Sequence, residues 1–112
     1  MTSRNNAIKD TPTNREAERL RDAIHGLGDY GHVTVRPERG HLNIYPDDEH
    51  PVARLTPLGA GHYGLSFHKH TGRWEPMPFR GDLNQMAHAL VNALGIYLER
   101  WDFSSRNSES GH

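Results

Sequence analysis

The chain contains no cysteine, and that absence removes several chemistries at once. Disulfides, thiolate nucleophiles and cysteine-ligated zinc all need a thiol. Apolar residues are scarce too, at 34% of 112, with a mean hydropathy of −0.83. No apolar run approaches the roughly 20 residues of a membrane span, nor the shorter core of a signal peptide. Neither sign of charge dominates. Thirteen Lys and Arg against 14 Asp and Glu leave a net charge of −1, so nothing demands a polyanionic partner. The expectation is a soluble cytoplasmic protein of one small domain, with no membrane contact.

Histidine is what the chain has in plenty. There are nine, and protonating all of them would move the formal charge from −1 to +8. A histidine-rich chain of this kind changes character between neutral and mildly acidic pH more than most.

The apolar residues are unevenly spread. Residues 1–12 mix Thr, Ser, Asn and Lys without periodicity, and 104–112 are a Ser/Asn/Gly segment. Both are expected to be disordered tails, leaving 13–103 as the folded unit. Thr13-Asn14-Arg15-Glu16 has the letters of a capping box, followed by Ala17, Leu20, Ile24 and Leu27 on one helical stripe. A helix over about 14–25 follows, with Gly26 and Gly28 as stops. Near the other end, Asp82 precedes a longer stripe of Leu83, Met86, Leu90, Leu94, Tyr97 and Trp101, widened by Ala87, Val91 and Leu98. Gly95 inside it costs about 1 kcal/mol against Ala, a sign of close backbone contact.

Between the helices the period changes to two. His32–Arg36 and His41–Tyr45 alternate around a four-residue turn, Pro37-Glu38-Arg39-Gly40. That turn sets Val35 beside Leu42 and Val33 beside Ile44. A third strand runs over Val52–Thr56 with Ala53 and Leu55 inward, and a fourth over His62–Lys69 with Tyr63, Leu65 and Phe67 inward. The fifth, Arg73–Phe79, carries Pro76 and Pro78, which confine it to a sheet edge. A three-residue turn with Gly72 left-handed would place Met77 opposite Leu65, Phe79 opposite Tyr63 and Trp74 beside His68. The pattern predicts a two-layer α+β domain: a five-stranded antiparallel meander with an N-terminal and a C-terminal helix on one face.

Several short motifs resemble catalytic ones and fail on context. Gly59-Ala60-Gly61-His62-Tyr63-Gly64 has the letters of a dinucleotide fingerprint, but a strand follows where a helix N-terminus is required. Gly64-Leu65-Ser66-Phe67-His68 lacks the second glycine of a nucleophile elbow. His68 and His70 could be two metal ligands, with a third from His62, His41 or Glu75. They flank a tight turn and carry Lys69 between them, however, and read as exposed turn histidines. The acidic turn Asp47-Asp48-Glu49 lacks calcium-loop spacing. No catalytic residue, metal or cofactor is expected.

The outer sheet face is the remaining constellation. Arg36, His41, Tyr45, Arg54, His68 and Trp74, with Asn43, project from it in this reading. Arginine, tyrosine and tryptophan dominate protein interface hot spots. The expectation is a small binding or assembly module, non-enzymatic, contacting a protein partner or a second copy of itself. One alternative is single-stranded nucleic acid on the same face. Another is a histidine-dependent metal enzyme built on His68, His70 and Glu75.

Overall fold

The computed structural model describes residues 12–99. Its element order is α1 (Asn14–His25), β1 (Thr34–Glu38), β2 (His41–Tyr45), β3 (Ala53–Gly59), β4 (His62–His68), β5 (Trp74–Gly81) and α2 (Leu83–Leu98). All strand pairs are antiparallel, in the spatial order β1-β2-β3-β4-β5. The helices pack on each other and on one sheet face, α1 over β1 and α2 over β4 and β5. This is the two-layer α+β meander that the sequence pattern predicts. The tails and Trp101 lie outside the described residues; Pro12, at the border, is buried.

The core is aliphatic. Leu20 and Ile24 of α1, Leu42 and Ile44 of β2, Leu55, Leu65, and Leu90 and Leu98 of α2 are fully buried, with Val33. Each such side chain contributes about 1.5–3 kcal/mol through its removal from water. Every strand supplies this layer from alternate positions, which leaves the other set of side chains on the far face.

Both helices begin with a complete capping box, Thr13 with Glu16 and Asp82 with Gln85. Glu16 does more than cap. One carboxylate oxygen accepts from the Thr13 N–H at 2.8 Å, while the other accepts from the hydroxyl of Tyr63 on β4. Tyr63 is buried, and its phenol is held well above its ordinary pKa by burial first and then by the Glu16 hydrogen bond. A local helix signal is thereby tied to the sheet.

Three sequence expectations are corrected. The first hairpin closes on two residues, Arg39 and Gly40, both with positive φ, so Val35 faces Ile44 and Pro37 faces Leu42. A two-residue turn of this kind matches strand twist. Pro37 lies one pair before the closing pair Glu38–His41, at a non-hydrogen-bonded position, so its missing N–H points away from β2 and costs the ladder nothing. The last hairpin does turn on Gly72 (φ +91) and does pair His68 with Trp74. Beyond Pro76, however, the register jumps: Leu65 faces a bulge of Met77, Pro78 and Phe79, and Gly81 takes the place opposite Tyr63. Pro78 has no N–H to give the ladder, and the bulge removes it from the ladder. Third, Tyr97 is exposed rather than inward. Leu94 departs from helical dihedrals (φ −126°, ψ 18°), and the last turn rotates so that Leu98 takes the core position. Gly95 meets the expected close approach, since a Cβ there would lie 3.2 Å from the Tyr30 hydroxyl.

Glu16→Ala should destabilise the fold by about 2–4 kcal/mol, the sum of a lost cap and an orphaned buried hydroxyl. Glu16→Gln, whose amide oxygen keeps the Thr13 cap and whose NH2 can donate to the Tyr63 hydroxyl oxygen, should cost less than that in denaturant titrations. Gly72→Ala should cost about 1 kcal/mol or more, because its φ suits only glycine well; an unchanged midpoint would contradict the turn.

Candidate functional site

The far face of the sheet carries three cross-strand rows. Arg36, Asn43, Arg54, Ser66 and Pro76 form the central row. Thr34 and Tyr45 lie to one side of it, as do His68 and Trp74. Glu38 and His41 lie to the other, with Thr56, Gly64 and Arg80. The two register shifts of the hairpins are both of two residues, so every side chain keeps its expected face. Arg36, His41, Tyr45, Arg54, His68 and Trp74 therefore come together on one surface. Among the described residues no helix or strand packs over it.

The side chains there cover one another. The Arg36 guanidinium lies 4.2 Å from the centre of the Tyr45 ring, and that of Arg54 lies 4.3 Å from the Trp74 ring. The His68 imidazole stacks on Trp74 at 4.5 Å between centroids. Each cation over a ring contributes about 0.5–2 kcal/mol, more where water is excluded. Tyr45 is only 7% exposed, although no described helix covers it. Leu58, half exposed, rests against Gly64 and adds an aliphatic element that the sequence reading missed.

Polar contacts fix this layer. Glu38 accepts from the Tyr45 hydroxyl at 2.5 Å and from the Asn43 amide at 2.9 Å. His41 Nδ1 and Thr56 Oγ1 share a hydrogen bond of 2.9 Å. His68 Nδ1–H donates to the Pro51 carbonyl at 3.1 Å. Away from this face, His25 and His32 likewise donate to carbonyls, those of Val33 and Leu98. Three of the nine histidines thus tie backbone segments together. Glu38 was assigned to a turn by sequence and missed; its i, i+2, i+4 spacing with Arg36 and Thr34 was the available signal.

Between β1–β3 and Trp74 the face sinks into a depression of about 600 Å³, lined by Glu38, Arg39, His41, Asn43, Arg54 and Trp74. Arg54 makes no hydrogen bond or ion pair with any described residue, and its Nε is buried without an acceptor, as is Asn43 Oδ1 without a donor. Burial pulls the Arg54 guanidinium below its ordinary pKa. Burial first, and then the charge of Arg54, hold the His41 imidazole below its usual value.

The metal constellation does not assemble. Glu75 pairs with Phe67, on the face opposite His68, and binds Lys69 at 2.8 Å. Among the described residues no three His, Asp or Glu side chains could hold a metal ion. The Gly59–Gly64 fingerprint runs through the β3–β4 turn, with no helix following. No protein-family model, curated protein or solved structure matches this chain.

Because the folded His41 binds its proton less readily than the unfolded chain, stability falls as pH drops from its unfolded value of 6.5 towards the lower folded one. His41→Gln keeps a donor for Thr56 and removes the titration. Its melting midpoint should fall less than that of the wild type between about pH 7 and about pH 5. Identical losses in the two proteins would contradict the assigned environment.

Proposed function

We propose that this chain is a non-enzymatic assembly module that pairs with a second copy of itself through the outer face of its sheet. The observation that carries this reading is the layer of cation-over-ring stacks, which no described element covers. Its composition of Arg, Trp and Tyr is that of interface hot spots, where rigid side chains bury area at low entropic cost. Leu58, Trp74 and Pro76 supply apolar surface among the cations.

Association by the edges is disfavoured. Pro37 on β1 and Pro76 on β5 both direct their missing N–H outward, where an added strand would seek a donor. The face is the remaining route. It also carries both signs of charge, Arg36, Arg54 and Arg80 beside Glu38, with the acidic turn of residues 47–49 adjoining Arg36. A patch holding donors and acceptors together can pair with its own copy about a two-fold axis, and such pairing closes at the dimer.

Single-stranded nucleic acid on this face is less well supported. Arg36 and Arg54 lie over the Tyr45 and Trp74 rings, so a base would have to displace a guanidinium in order to stack.

The wild-type chain should sediment as a dimer whose melting midpoint rises with concentration. Arg54→Ala and Trp74→Ala should shift it to monomer. Trp74→Ala should cost less intrinsic stability than the roughly 3–5 kcal/mol of a core aromatic. A wild-type chain that stays monomeric at every accessible concentration would sink this reading.

A further inference from the structure

We infer that each Arg54 depression is completed by a carboxylate from the acidic turn, Asp48 or Glu49, of the second copy; the inference rests on the self-pairing proposed above. Arg54 supplies the argument. A half-buried guanidinium without a hydrogen-bonded acceptor loses hydration and gains only the stacking on Trp74. Uncompensated desolvation of a charge is costly, and an anion placed against it recovers most of that cost. The planar fork of arginine suits a carboxylate in particular.

The acidic turn has the properties of a ligand for that site. Asp47 accepts from the backbone N–H groups of Glu49 at 2.8 Å and His50 at 2.7 Å. Burial opposes its ionisation, but these two hydrogen bonds prevail and hold its carboxyl below the usual range. Asp47 is therefore consumed in rigidifying the turn. Asp48 and Glu49 point outward, with side chains 91% and 81% exposed. Arg36 holds the turn on the outer-face side, its guanidinium donating to the Asp48 carbonyl at 3.4 Å and lying 3.6 Å from the Asp48 carboxylate, whose other oxygen stays outward. Exposed carboxylates therefore stand at one part of the face, and Arg54, without an acceptor among the described residues, lies at another.

A two-fold axis along the strands would lay the β1 side of one copy over the β5 side of the other, bringing turn and depression together twice. The depression, about 600 Å³, has room for a carboxylate side chain beside Trp74.

Complementary charge reversal tests this. Arg54→Glu in one protein, and Asp48→Lys with Glu49→Lys in another, should each weaken self-association about a hundredfold or more, since each symmetric site then opposes like charges. Mixed, the two should form a heterodimer with both sites matched, detected by sedimentation with one partner fluorescently labelled. Melting curves and circular dichroism of each variant check folding. The turn variant changes only exposed side chains, so it reports even if Arg54→Glu misfolds. A dimer indifferent to the turn reversal, or reversed variants that fail to pair when mixed, would overturn the carboxylate assignment and leave the self-pairing reading standing. A monomeric wild type would overturn both.

Discussion

A five-stranded sheet has two faces, and this chain carries aliphatic side chains for only one of them. The fully buried residues all belong to the layer beneath the helices. With so few apolar residues, a second aliphatic layer was not available, so the other face had to be stabilised by different chemistry. Cations laid over aromatic rings are that chemistry. They shield Tyr45 to the level of a core residue while keeping charge at the surface. The composition of the outer face is thus first a solution to a folding problem. The recognition proposed for it starts from what that solution leaves at the surface.

Stacking leaves the guanidinium edges unsatisfied. A guanidinium flat on a ring keeps its N–H donors in the plane, pointing sideways, so the contact that buries the ring does nothing for the donors. Arg36 finds the carbonyl of Asp48. Arg54, in the middle of the sheet, finds none among the described residues. The difference is positional: loops reach edge strands, whereas a central strand has only its neighbours' side chains, and here those are Asn43 and Ser66. An arginine at the centre of a sheet face that no described element covers therefore keeps terminal N–H donors that an external acceptor could meet.

Most of the layout could be read from the sequence because its signals are local. Capping letters, helical stripes and period-two alternation fixed both helices, all five strands and the face of each site residue. Registers were harder, since proline at 37 suggested a turn and proline at 78 gave no hint of a bulge. The errors were slips of two residues, which move a strand along its partner without inverting it. Face membership therefore survived where neighbour identity did not. What could not be read was the set of partners. Glu38 binding Tyr45 and Asn43, or Glu16 reaching Tyr63 across the core, requires knowing which long side chains lie along the strands and in which direction. The histidines make the same point from the opposite side. Their number suggests a pH device, yet His25, His32 and His68 are committed to backbone carbonyls, a role that composition cannot show.

The prolines connect folding to association. An uncovered sheet invites two modes of self-contact, by its edges and by its face, and only the first propagates without limit. Pro37 and Pro76 remove donors from the two outer edges while leaving the inner ladders intact. The bulge at Pro78 further twists the β5 edge away from a flat geometry. With open-ended growth suppressed in this way, a cationic, ring-lined face can be left uncovered. The proposed contact through that face would close on a single partner, because a two-fold pairing uses the same surface on both copies. Edge protection and face composition are then two halves of one constraint: under the proposed self-pairing, a chain that presents such a face needs edges that disfavour strand addition.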